Sequence, residues 1–212
     1  PDTKYLLVLL GGDTQNSDGK TWSYYSVEDA EQLAKFVASR AKHDHLKILI
    51  ANGPRTGKFD PVTGKETNVH QNGGVDSVTQ HFIKTLREEQ LTDEEFQLFD
   101  FQFKKPSDFS KLIGAVRAHP GSQAFIDGGS TSVISQAVVN LSDKVPIAAY
   151  QHKAMGISHN EHVKQEYDAG RVALLTASMT FMPPKNRLES QTKSAEELIA
   201  EEIIQEIGNP IL

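Results

Sequence analysis

The chain has 212 residues, 38% of them hydrophobic, and a chain of this length shields roughly 70% of its unfolded surface, enough for one well-buried core and a single domain. Its 22 Lys and Arg against 28 Asp and Glu give a net charge of −6 with no basic run, which disfavours bulk binding of DNA or RNA. Cysteine is absent, which excludes disulfides, Cys-ligated zinc, iron–sulfur clusters and thiol nucleophiles. No stretch of 18 apolar residues exists for a membrane span, and no basic-then-apolar leader opens the chain. A soluble, cytoplasmic protein, at most peripheral to a membrane, is expected. The chain opens at Pro1 and enters an apolar segment almost at once, which reads as a processed product or a domain of something longer.

Apolar runs alternate with helix-period stretches along the whole chain, the pattern of a parallel sheet covered by helices. The expected fold is therefore α/β, Rossmann-like and doubly wound, with about six mostly parallel strands and helices on both faces. Strands are predicted at Tyr5–Leu10, Leu46–Ala51, Phe96–Phe103, Gln123–Ile126, Val145–Tyr150 and Val172–Leu175. All but the third are nearly continuous apolar segments, as strands buried on both faces require. The third partly alternates and is the expected edge strand. Helices are predicted at Ser26–His43, Val75–Gln90, Ser107–Ala118, Ser130–Leu141, His159–Ala169 and Ser194–Ile207. In the first, Ser26 stands at the N-cap and Glu28 and Asp29 fall in the opening turn, where acidic groups favour the helix dipole.

In an open parallel sheet, ligands bind beyond the carboxyl ends of the strands. The residues there are Gly11-Gly12-Asp13-Thr14, Asn52-Gly53-Pro54-Arg55-Thr56, Asp127-Gly128-Gly129-Ser130-Thr131-Ser132 and Gln151-His152-Lys153. Asp127 to Ser132 follows a strand and opens a helix, so free backbone N–H groups and the positive helix end can face a phosphate oxygen. A capping turn with no ligand is the plainer alternative. Gly11 and Gly12 serve as spacers and Thr14 as a hydrogen-bond donor in a loop that is otherwise simply flexible. Trp22, Tyr24 and Tyr25 either stack on a base or sugar or pack on the first helix.

Asn52 to Lys58 departs from the phosphate-binding P-loop: Gly53 and Gly57 enclose three residues rather than four, and Phe59 follows Lys58 where Ser or Thr is needed. What remains is Arg55 at a strand end, suited to an anion. The stretch from Gly53 to Gly74 is longer than structural connections usually are and reads as a functional loop. The close pairs His43 with His45 and His159 with His162 are weak metal sites, and no metal is expected. His152, after the fifth strand, and His159 are the acid/base candidates. There is no G-x-G-x-x-G after the first strand and no G-x-S-x-G elbow.

The segment from Ala124 to Ala137, followed by Lys144-Val145-Pro146-Ile147, resembles the nucleotide-sugar half of GT-B glycosyltransferases, and in particular the mitochondrial-fission ELM family and its bacterial relatives. Gly11-Gly12, Asn52 to Thr56 and the His159 to Gly170 helix follow in the same order. The resemblance implies a donor domain that binds a nucleotide-diphosphate sugar as substrate, with no further cofactor, for transfer to an unknown acceptor. An N-terminal domain or a second copy of the chain would complete the enzyme. The implied binding residues are Gly11, Gly12, Asp13, Thr14, Asn52, Gly53, Arg55, Asp127, Gly128, Gly129, Ser130, Thr131, Ser132 and Gln136. Arg55 and His152, read from their places at the strand ends, are the catalytic candidates. Gln136 stands at the step where GT-B donor sites commonly carry the Glu that holds the ribose. The alternatives are a non-catalytic nucleotide- or protein-binding module on the same scaffold, and a phosphotransferase or hydrolase using Asp13 or Asp127.

Overall fold

A computed structural model describes residues 3–60 and 62–185. Nine strands and five helices occur among them: β1 Lys4–Leu9, β2 Thr14–Gln15, β3 Trp22–Ser23, α1 Val27–Asp44, β4 Leu46–Ala51, α2 Ser77–Glu88, β5 Phe96–Phe99, α3 Phe109–Ala118, β6 Gln123–Asp127, α4 Thr131–Leu141, β7 Ile147–Tyr150, α5 Ile157–Asp168, β8 Ala173–Leu175 and β9 Phe181–Met182. The predicted Ser194–Ile207 helix lies outside the described residues.

Seven strands form one sheet in the order β5-β4-β1-β6-β7-β8-β9, parallel throughout except for β9. Without the antiparallel β9, this is the 3-2-1-4-5-6 order of doubly wound mononucleotide-binding sheets. Successive side chains of a strand point to opposite faces. Leu6, Val8 and Leu10 accordingly join the core beneath α1 and α2, while Leu7 and Leu9 join the one beneath α3, α4 and α5. A strand buried on both faces is therefore apolar at every position, and Leu6, Leu7 and Val8 are all fully buried. Each such side chain contributes roughly 1.5–3 kcal/mol.

The helix ends follow their capping chemistry. The Ser26 hydroxyl accepts from Asp29 N–H, and α1 closes on His45 in the left-handed conformation. Asp76 caps α2 by accepting from Thr79 N–H. The predicted third strand is cut short: β5 ends at Phe99, paired with Ala51 at the end of β4. Beyond that point Phe101 N–H donates to the Asn52 side-chain carbonyl, 2.6 Å away, so residues 100–103 leave the sheet.

Register fixes the site. Leu9 is level with Ala51 on one side and with Ile126 on the other. Gly11-Gly12, Asn52-Gly53, Asp100 and Asp127-Gly128 therefore emerge together at the carboxyl edge. The strand order reverses between β1 and β6, the point at which such sheets open a crevice.

Candidate functional site

A cavity of about 430 Å³ opens at this edge between the leading turns of α3 and α4, within the roughly 300–1,000 Å³ usual for small-molecule sites. Its apolar part is built from Leu9, Leu10, Ala51, Phe99, Phe101, Phe109 and Leu112. Its polar lining carries two cations, Arg55 and Lys105, three carboxylates, Asp100, Asp108 and Asp127, and neutral groups that include Asn52, Gly53, Ser130 and Gln136. Of the residues expected to bind, Gly12, Asn52, Gly53, Arg55, Asp127, Ser130 and Gln136 line the cavity. Gly11, Asp13, Thr14, Gly128, Gly129, Thr131, Ser132 and His152 do not.

Close packing places Arg55. Asp13 N–H donates to the Arg55 carbonyl at 2.8 Å, and a Cβ on Gly12 would sit 2.7 Å from the Arg55 backbone carbon. The absent side chain is what lets β1 and the 53–74 loop meet. The guanidinium then donates from Nη2 to the Gly129 carbonyl at 3.2 Å, which seats the charge on the turn leading into α4.

The amides of that turn are shared out differently from the expectation. Gly128 N–H donates to the Tyr150 carbonyl, Gly129 N–H to Asp127 Oδ1, and Ser130 N–H makes a long 3.4 Å contact with the Asp127 carbonyl. The glycines pack rather than face a ligand: a Cβ on Gly128 would lie 2.7 Å from the Tyr150 carbonyl oxygen. Within the helix, the first main-chain bond runs from Ile134 N–H to Ser130. The N–H groups of Thr131, Ser132 and Val133 have no intrahelical acceptor. Ser130 is the N-cap yet makes no side-chain capping bond. Of these residues Ser130 and Val133 line the cavity, and Thr131 and Ser132 do not.

Asp13, Asn52 and His152 are internally engaged. Asp13 is 1% exposed; its Oδ1 accepts from Tyr25 N–H and its Oδ2 from Phe59 N–H, both at 2.9 Å. Burial raises its pKa, against the pull of those two bonds, and the nearby Asp76 carboxylate raises it further. The Asn52 amide donates to Asp76, Thr79 and Asp100. His152 is 5% exposed, with Nε2 2.7 Å from Asp127 Oδ1 and its ring edge-on to Tyr25 at 4.6 Å. It lies behind Asp127 rather than on the rim. The Thr14 hydroxyl is buried without a partner. Trp22 and Tyr24 pack on Phe59, and Tyr25 lies against Tyr150.

His159, in the first turn of α5, is half-buried, and its Nδ1 accepts from Gly156 N–H. Its pKa is lowered from 6.5, first by burial and then by the Arg55 charge. A depressed histidine favours the neutral form in the folded protein, so its stabilising contribution is full above pH 6.5 and fades as pH falls through the folded pKa. In a proton-detected NMR titration the His159 imidazole is expected to titrate below 6.5, and the Arg55→Gln variant to move it upward. An unchanged midpoint in that variant would show that Arg55 does not bear on His159.

Sequence reasoning missed the clustering of His70, Asp76 and Asp100, each of which offers one ligand-type atom within 4.8 Å of the others. The only hint in the sequence was their position, two in the long loop and its exit and one just past the edge strand. Among the described residues no helix is long and apolar enough to cross a membrane. No family model matches the chain, and no curated protein matches it.

Proposed function

We propose that the chain is the donor-binding half of a GT-B-type glycosyltransferase, taking a nucleotide-diphosphate sugar into the crevice between β1 and β6. The observation that carries this reading is the mixed lining of the cavity: the aromatic and aliphatic residues around Phe109 and Leu112 suit a nucleoside, and Arg55, seated on the Gly129 carbonyl, and the uncommitted N-cap Ser130 suit an anion. A diphosphate there would accept from Arg55 and Ser130, with the helix dipole favouring its charge. As the sugar departs, negative charge grows on the diphosphate, and fixed donors already aimed at it stabilise the transition state more than the ground state. Gln136, one and a half turns further along, is the ribose contact. His152 takes a positioning role in this reading, holding Asp127 and through it the Gly129 turn that Arg55 grips.

Calorimetry with UDP, GDP and ADP tests the proposal. One of them is expected to bind, and Arg55→Ala to weaken it roughly 10- to 150-fold, the equivalent of a lost charged hydrogen bond of about 1.5–3 kcal/mol. Ser130→Ala should cost less, since a neutral hydroxyl is lost. No binding by any of the three, or binding indifferent to Arg55→Ala, sinks the donor-site reading.

A further inference from the structure

The 53–74 loop, the N-cap of α2 and the exit of β5 bring three ionisable side chains together beside the cavity. His70 is 4% exposed and Asp76 1%, and Asp100 Oδ2 is itself buried. Buried charges are ordinarily paired or bound to a metal. Among the described residues neither Asp76 nor Asp100 forms an ion pair with Lys or Arg. What lies between them is the Asn52 amide, whose two hydrogens are divided among Asp76 Oδ2 at 3.0 Å, Asp100 Oδ1 at 2.8 Å and Thr79 Oγ1 at 3.0 Å. His70 Nε2 is 3.7 Å from Asp76 Oδ2. Asp76 also accepts from the Thr79 N–H at 2.8 Å and from its hydroxyl at 2.7 Å, whereas Asp100 has the Asn52 amide alone among the described residues.

Two atoms of the cluster are buried with no hydrogen-bond partner: Asp100 Oδ2 and His70 Nδ1. The tautomer accounts for the second. His70 Nε2 lies 2.9 Å from the Thr56 carbonyl, which can only accept, so Nε2 carries the proton and Nδ1 the lone pair. A neutral imidazole with one N–H fixed by a carbonyl is a form in which histidine ligates metals, here through Nδ1, while the Nε2–H lies near both the Thr56 carbonyl and Asp76 Oδ2. We infer that His70, Asp76 and Asp100 form a binding site for a first-row divalent cation of the zinc or manganese type, which ties the 53–74 loop to the sheet edge. One nitrogen and two carboxylate oxygens favour such ions over calcium, which prefers six to eight oxygens. The donor atoms lie within 4.8 Å of one another, whereas ligands around a tetrahedral zinc at about 2.1 Å stand about 3.4 Å apart. Binding draws the three side chains together. The bonds from Asn52 and from the Thr79 hydroxyl to Asp76 at 2.7 Å hold the carboxylates in orientation as an outer shell.

The test uses the whole chain, stripped with EDTA and desalted, and titrated calorimetrically with zinc chloride and with manganese chloride. One ion per chain is expected. Asp100→Asn and His70→Gln should each weaken binding by at least about tenfold, while His43→Ala, an exposed histidine elsewhere, leaves it unchanged. Anomalous scattering from manganese-soaked crystals of the unmodified protein locates the ion without any variant: density between His70, Asp76 and Asp100 supports the site. Absence of binding by both metals, binding by both ligand variants as tight as by the native protein, or an ion located elsewhere overturns it.

Discussion

Replacing Asp13 with Ala is expected to destabilise the protein by about 3 kcal/mol or more and to weaken any anion binding at Arg55 with it. The carboxylate accepts from Tyr25 N–H at the end of the β2–β3 excursion and from Phe59 N–H in the 53–74 loop, one oxygen for each. Hydrogen bonds to a charged group are worth about 1.5–3 kcal/mol apiece, and the Ala variant leaves two amide donors without their acceptor. Loss of the Phe59 bond also loosens the segment that follows Arg55, whose own carbonyl keeps its bond from the Asp13 N–H. The pH dependence separates this clasp from a ligand-facing role. Because burial raises the folded pKa of Asp13 above 3.8, the folded state holds its proton more tightly than the unfolded chain. Stability contributed by this group is therefore fully present below 3.8 and falls as pH rises through the folded pKa. Asp13→Asn lacks that dependence. The stability advantage of the native protein over Asp13→Asn, measured by urea unfolding, should shrink as pH rises from 3.5 upward; an advantage that grows instead would contradict the assignment.

Most of the architecture was legible because buried parallel strands and amphipathic helices are written in local pattern. The apolar run through Leu6, Leu7 and Val8 announces a strand covered on both faces, and the alternation from Phe96 onward correctly marks an edge. Ser26 and the spacing of Ala30, Leu33, Ala34 and Val37, all fully buried, announce the first helix. What escaped was short or set by partners distant in the chain. Phe181 and Met182 form a strand only because Leu175 and Leu174 pair with them, and two residues carry no period. Phe96–Phe103 was read as one strand because its apolar residues continue past Phe99, yet Asn52, 49 residues before Phe101, draws the backbone away. At the site, the strand-end rule named Gly12, Asn52, Gly53, Arg55, Asp127 and Ser130, which line one cavity, and Gln136, named through the resemblance alone, lines it too. It could not show that the amides of Gly128 and Gly129 are consumed by Tyr150 and Asp127, since those bonds depend on the packing of β7 beside β6. The His70 cluster escaped for the same reason: its three members meet through the ends of different elements and form no motif.

Asp127 offers the second large effect, with two variants expected to part company. Its Oδ1 accepts both from Gly129 N–H at 2.9 Å and from His152 Nε2 at 2.7 Å, and the side chains of His152 and Asp127 are 1% and 7% exposed. His152 Nδ1 already lacks a partner. Asp127→Ala therefore leaves an imidazole with neither nitrogen bonded and an amide with no acceptor, at about 2–5 kcal/mol, or roughly 4–20 °C in midpoint for a chain of this size. Asp127→Asn presents a carbonyl oxygen at the same place and keeps both bonds in weaker, uncharged form, so most of that stability should return. The pair also bears on chemistry. If Asp127 worked as nucleophile or base on a substrate, Asp127→Asn would fold normally and lose all turnover. If it holds the Gly129 turn and thereby Arg55, the Asn variant keeps nucleotide affinity within a few-fold of the native protein and the Ala variant does not. Thermal unfolding and nucleoside diphosphate calorimetry on the two variants decide between these, and equal damage from both would remove the positioning role assigned to His152 and Asp127.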